Sequence, residues 1–305
     1  MIMKWLKAPM QWLAQLSEHR HWAYFLIIPS IIFICIVIIY PTISGITLSF
    51  REMRLTRPDL GTGFVGLKHY QYMITDPVFW IALTNTVKWV TVAVLMEFLL
   101  GLGVALALNR DLPGMKLATV LILLPWFLPN VVAGNMWALM LDPRLGIIND
   151  VLINFGVLTE GKAWFADPDT ALPMAILVEA WHGYPFFALL FLAALKGIPK
   201  DLYRAAAVDG AGPIKAFWQI TLPSMKMVIA AVIILRVIGL VNSPELLLVL
   251  TNGGPGDATQ VLSLYAFQNA FTSFDFGYSG ALSVIMFLIL MVFCVIYLRI
   301  ARIRD

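Results

Sequence analysis

Long apolar runs alternate with short polar intervals along this chain, and the runs are too uniformly apolar to be one face of soluble helices. A helix needs about 20 apolar residues to cross about 30 Å of hydrocarbon. Six stretches approach or exceed that length, at about residues 22–49, 83–108, 117–140, 171–195, 225–241 and 277–298. None shows the period-2 alternation of a membrane β-barrel strand. The pattern predicts an all-α membrane protein with six transmembrane helices. The first run is too long, and too poorly followed by a small-residue cleavage site, for a removed leader, so it is read as a retained span.

Composition agrees: of 305 residues, 60% are hydrophobic and only 13% charged, far from the soluble range. Basic residues between spans set the orientation. With both termini cytoplasmic, thirteen Lys and Arg fall inside and six outside (Arg51, Arg54, Arg57, Lys68, Arg144 and Lys162). The net charge of +3 therefore reports topology, and no patch suits nucleic acid. Residues 1–21 become a cytoplasmic segment whose Trp5, Leu6 and Trp12 suit a helix at the inner membrane surface. Residues 299–305 become a cytoplasmic tail, and 22–298 the six-span domain. Cys35 and Cys294 each lie within a span, which suits packing and argues against a metal or disulfide site.

Between spans four and five the chain reads YRAAAVDGAGPIKAFWQITLPSM, from Tyr203 to Met225. Pro199 and Asp201 suit a helix start, and Leu202 to Val208 is strongly helix-forming. Asp209-Gly210 ends that helix, with Gly210 free to take a left-handed conformation, and Gly212-Pro213 starts a second. Ile214, Phe217 and Trp218 form an apolar stripe at helical spacing. Such a helix can lie flat at the headgroups, anchored by Lys215 and Trp218. The small Ala205-Ala206-Ala207 face favours another reading: it offers lipid little area but admits a second protein backbone closely.

This stretch resembles the cytoplasmic signature of ABC importer permeases, EAA, three residues, G, nine residues, then I-x-L-P. Ala205-Ala206, Asp209-Gly210-Ala211, Phe217 and Ile220-Thr221-Leu222-Pro223 stand at the matching positions. Arg204 stands where the family has Glu, so any role of that carboxylate does not carry over. The likeness continues in Phe64-Val65-Gly66-Leu67 with His69-Tyr70, Phe79-Trp80 and Asn85-Thr86, and again in Thr251-Asn252-Gly253-Gly254-Pro255 with Ala258-Thr259 and Gly277-Tyr278. These look like carbohydrate-uptake permeases, MalF-like, of the binding-protein-dependent inner membrane type.

The resemblance implies the type I importer (MetI-like) permease fold in a bacterial inner membrane. It implies four further chains: a second homologous permease, two ATPase subunits and an extracytoplasmic solute-binding protein. ATP and Mg would bind the ATPase, because this chain has no GxxxxGK[ST] loop. The loop 198–223 becomes the coupling element, with Arg204, Ala205, Ala206, Asp209, Gly210, Ala211 and Phe217 at the docking face. Gly253, Gly254 and Pro255 become an outer gate or docking loop. The implied solute is a sugar, oligosaccharide or polyol, glycerol or glycerol phosphate included.

Three charges fall deep inside spans, Glu97, Glu179 and Arg236, each costing about 2.5–3.5 kcal/mol at a helix centre on insertion scales, while Lys88 lies close enough to a span end to snorkel. Pairing of Arg236 with a carboxylate would hold the bundle together, and a neutral sugar needs no ionic partner. Sugars need aromatic faces and amide or hydroxyl groups. Asn135, Trp137, Trp181, His182, Tyr184, Asn242, Ser243 and Glu245 supply them, near Pro125, Pro129, Pro185 and Pro244, where helices can kink or unwind. The competing reading is an ion-coupled secondary transporter using Glu97 and Glu179, against which stands the lack of internal repeats. With no HExxH or GxSxG, the chain carries no sign of catalysis.

Overall fold

A computed structural model describes residues 20–57, 59, 61–110 and 112–301. The predicted surface helix within residues 1–21 falls almost wholly outside them, as does most of the tail. The helices are α1 (Arg20–Ile34) and α2 (Tyr40–Leu48), joined by a π-helical turn at Cys35–Ile39; α3 (Lys68–Thr75); α4 (Pro77–Leu108); α5 (Met115–Phe127); α6 (Asn130–Met140); and α7 (Ile147–Asn154). They continue with α8 (Pro168–Lys196); α9 (Lys200–Val208); α10 (Pro213–Ala216), running through a π-helical turn at Phe217–Thr221 into α11 (Leu222–Asn242); α12 (Glu245–Leu250); α13 (Leu262–Phe271); and α14 (Phe276–Ala301). Among the described residues, five stretches are long and apolar enough to span a membrane, and the pair α5 and α6 supplies a sixth if counted as one span.

The centre of the bundle is the pairing of α4 with α8, the most extensive between any two helices. Both begin with the same device. Asp76 accepts from the Val78 amide at 3.0 Å and Asp167 from the Asp169 amide at 3.0 Å. A proline follows each, where a missing N–H costs nothing. With 32 residues, α4 is about 48 Å long at the helical rise. It therefore starts earlier, at Pro77, than the span expected from residue 83. Trp89, Phe187, Phe191 and Ala93 are sealed in the core, and Phe98 meets Phe191 edge-on at 5.5 Å.

The third span is not one helix over 117–140. Leu128, ahead of Pro129, is extended (φ −73, ψ 133), as a residue preceding proline prefers, and α5 and α6 meet at 94°. The fifth span is longer than 225–241, forming one apolar stretch from Pro213 to Asn242. At the end opposite α9, Asp76 accepts hydrogen bonds from Tyr265 at 2.7 Å and Tyr278 at 2.6 Å, tying α4, α13 and α14 together. Burial, and then the Asp76 carboxylate, push the Tyr265 phenol well above its usual pKa. The first span stands apart: the apolar window of Ile27–Leu48 has no buried residue, and α2 touches the bundle along α14.

Candidate functional site

The three intramembrane charges come together between α4, α8 and α11. Arg236 donates from Nε to Glu97 Oε2 at 2.7 Å and from Nη2 to Glu97 Oε1 at 2.6 Å, a two-pronged pair. The same Nη2 also reaches Glu179. Glu97 is fully buried, Glu179 nearly so, and Arg236 mostly buried. The cluster has room only because α8 carries Gly183 opposite it: a Cβ there would run into Glu97 Oε1 and Arg236 Nη2. Both prongs of the guanidinium are satisfied within the protein, the condition for retaining charges in such a place.

Two backbone breaks lie close to this centre. At the first, His182, the neighbour of Gly183 on α8, brings Nε2 to 2.9 Å from the Leu128 carbonyl oxygen, so the group freed by the α5–α6 bend has a partner. At the second, between α11 and α12, Ser243 donates to Glu245 and lies 3.5 Å from Asn130 Nδ2 at the start of α6. The two breaks thus meet, and α12 packs along α6.

The other polar and aromatic candidates separate into two groups. Trp137 and Trp181 pack edge-on with ring centroids 5.4 Å apart. Asn135 turns back onto the Val131 carbonyl of its own helix at 2.8 Å, and Tyr184 is half-buried one turn of α8 away. Asn242 and Glu245 instead line a cavity of ≈ 430 Å³ with Ser263, Phe267, Ser279 and Ser283. Ser263 is 7% exposed and its hydroxyl has no partner. The three serines were not among the sequence candidates. Ser279 and Ser283, four residues apart on one helix, were the available signal.

The loop TNGGPGDAT is a closed knot. Thr259, fully buried, donates to the Gly254 carbonyl at 2.8 Å and pairs with Thr251 at 2.7 Å. Gln268 donates to the Asn252 carbonyl at 3.1 Å, and Gln260 to Gln268 at 2.7 Å. From α4, Asn85 donates to the carbonyls of Asp257 and Ala258 at 3.2 and 3.1 Å, and Thr86 accepts from the Leu262 amide at 2.9 Å. Gly253, Gly254 and Pro255 therefore sit in a loop tied by hydrogen bonds to α4.

At the other end, α9 closes with Gly210 at φ +76. The Gly210 amide donates to Ala207 at 3.1 Å and the Ala211 amide to Ala206 at 2.8 Å, a pairing that satisfies the last carbonyls of the helix. Tyr203 and Thr221 share a hydrogen bond of 2.9 Å, holding α9 against the turn after α10, where Phe217 and Trp218 pack edge-on. Arg204 pairs with Asp201 at 2.9 Å, both exposed, a contact of little energetic worth. Within residues 198–223, Val208, Ile214 and Trp218 are nonetheless 87%, 76% and 62% exposed. Among the described residues, no group of His, Cys, Asp or Glu is placed to hold a metal.

Residues 98–305 match the family model described as "Binding-protein-dependent transport system inner membrane component". The chain is 37% identical over 283 residues to the sulfoquinovosyl glycerol transport system permease protein SmoG of Agrobacterium fabrum, covering 93% of this chain and 91% of that one. It is 34% identical over 281 residues to the trehalose/maltose transport system permease protein MalF of Thermococcus litoralis, covering 92% and 94%. The diacetylchitobiose uptake system permease protein NgcF of Streptomyces coelicolor is 32% identical over 292 residues, covering 92% and 82%. In fold, it matches a chain of a bacterial ABC transporter that imports the acidic polysaccharide alginate, with a TM-score of 0.81 at 22% identity over 99% and 100% of the two chains.

Proposed function

The chain belongs to the family of binding-protein-dependent transport system inner membrane components, and on that premise we propose that it forms half of the pathway for a small glycoside. As a permease subunit of an ABC importer it resides in the inner membrane, and ATP is hydrolysed by a separate chain. The relatives named for sulfoquinovosyl glycerol, trehalose and maltose, and diacetylchitobiose support a glycosidic solute. The observation that carries the reading is the cavity holding Asn242, Glu245 and the unpartnered Ser263 hydroxyl beside Phe267. Its ≈ 430 Å³ falls within the range of small-ligand pockets.

In this reading a homologous second permease completes the pathway and two ATPase subunits grip the loop 198–223 through its alanine face and Gly210. The solute-binding protein docks at the rim around Gly253, Gly254 and Pro255. The triad of Glu97, Glu179 and Arg236 holds three spans together and does not meet the solute. Uptake by the assembled transporter in vesicles, with its binding protein and a panel of radiolabelled glycosides, is the test. ATP-dependent uptake that falls at least tenfold in Asn242→Ala with Ser263→Ala supports it. Uptake that persists without ATP and collapses with the ion gradient would replace it with the ion-coupled mechanism.

A further inference from the structure

The cavity of ≈ 430 Å³ beside the α11–α12 break is bounded by Asn242 and Glu245 on one side and by α13 and α14 on the other. Its polar atoms lean toward one kind. Ser279 donates its hydroxyl proton to the Ala266 carbonyl at 2.8 Å, and Ser283 donates to the Ser279 carbonyl at 3.0 Å. Asn242 Nδ2 gives one proton to the Ile238 carbonyl at 2.8 Å. The two serine oxygens, the Asn242 side-chain oxygen and the Glu245 carboxylate are then left to accept. Against them stand the second Asn242 N–H and the Ser263 hydroxyl, which has no partner. The cavity holds more acceptors than donors, so a guest that fills it must bring protons of its own.

Charge points the same way. Glu245 is the acidic residue among the described residues lining the cavity, and none of them is basic. Ser243 donates to one of its two oxygens. Arg236, earlier on α11, is held by Glu97 and Glu179 and is not free to neutralise it. A carboxylate in the first turn of α12 suits that helix start, yet a helix start makes no demand on the serines of α13 and α14. Phe267 and Phe271, ring centroids 4.8 Å apart, add an apolar wall on which the C–H face of a sugar can lie.

Resting on the glycoside reading of this cavity, we infer that Glu245 sets the charge of the solute: neutral and amine-bearing glycosides are admitted, and glycosides carrying a carboxylate, sulfonate or phosphate are turned away. A hydroxyl or ammonium group supplies protons to Glu245 and to the serine oxygens. An anionic group brings further acceptors to walls short of donors, and brings them beside a like charge.

The test uses the assembled transporter in detergent without its binding protein, so that the permease alone selects. The probes are the methyl glycosides of glucose, glucosamine and glucuronic acid, with affinities read by ligand-observed NMR titration at neutral pH and low salt. Repulsion between two unit charges about 6 Å apart at a protein surface is worth on the order of tenfold in affinity. The glucuronide is therefore expected to bind at least tenfold more weakly than the glucoside. Glu245→Gln should close that gap and Glu245→Asp should keep it. The gap should also narrow as salt is raised, which a merely structural disturbance of the corner would not produce.

A glucuronide that binds the unaltered transporter as tightly as the glucoside, or a gap unchanged in Glu245→Gln, would overturn the inference and leave the cavity a glycoside site. If none of the three probes bound, the glycoside reading would fall and the inference with it. Should Glu245→Gln fail to assemble, the salt series on the unaltered transporter decides, and a gap indifferent to salt overturns the inference.

Discussion

The ionic centre and the bracket at 198–223 treat unfavourable groups in opposite ways. In the centre, three charges that hydrocarbon would reject are turned on one another until Arg236 has a partner on each prong, and glycine at 183 keeps the space clear. In the bracket, Val208, Ile214 and Trp218, side chains that water would reject, are held out in fixed positions. The first region is finished by its own chain. The second has the last carbonyls of α9 satisfied and leaves its apolar groups exposed, a feature that often marks an interaction surface.

The contrast breaks most sharply at Arg236. Arg236→Met leaves two carboxylates buried without a cation, and losing one partner of a buried ionic cluster costs about 3–5 kcal/mol. Thermal unfolding of the purified chain should show a large fall, with little folded protein recovered. Replacing all three charges together, by Glu97→Leu, Glu179→Leu and Arg236→Met, should restore most of that stability, since a well-packed apolar substitute for an ion cluster is often neutral. A triple variant as unstable as the single one would mean that the charges do more than hold the helices.

Changes in the bracket should spare folding and strike assembly. Burial of a side chain such as Val or Ile contributes about 1.5–3 kcal/mol, so Val208→Glu with Ile214→Glu should weaken ATPase capture by at least about a hundredfold. Membrane insertion and unfolding temperature should stay unchanged. Gly210→Val acts through the backbone: nothing lies within 4 Å of an added Cβ, yet φ is +76. The strain is about 1–2 kcal/mol, and Gly210→Asn, which tolerates that conformation, should retain more capture. Pull-down of the ATPase chain with tagged permease reads both. Equal capture by Gly210→Val and the parent chain would remove the glycine break from the docking face.

These two regions also differed in how far the sequence exposed them. The bracket is local: Pro199, Asp209-Gly210 and Gly212-Pro213 carry their helix ends in the residue types themselves, and the structure has α9 ending at Val208 and α10 starting at Pro213. The triad is not local. Hydropathy marks Glu97, Glu179 and Arg236 as misplaced, but their meeting depends on how α4, α8 and α11 rotate, and Gly183 reads as an ordinary helix glycine. The 94° bend was legible only as two prolines. A window of apolar residues from 117 to 140 is blind to a backbone that turns while staying apolar. Ser263, Ser279 and Ser283 were missed because a serine in a greasy run gives no sign of whether its hydroxyl is already bonded within its own helix.

A substitution at His182 asks whether the broken span borders a wet path or a dry core. His182→Ala removes the Nε2 partner of the Leu128 carbonyl while Leu128 itself remains half-buried. If the break lines a hydrated pathway, water takes over the carbonyl and the loss is about 1 kcal/mol, the net worth of one hydrogen bond. If it is dry, the carbonyl stays unmet and the cost rises toward about 3 kcal/mol. A thermal shift near the lower figure places α5 and α6 at the water-filled route together with the Asn242 corner that Asn130 reaches through Ser243. A shift near the upper one makes the bend part of the rigid frame and leaves the α11–α12 corner to carry the solute alone.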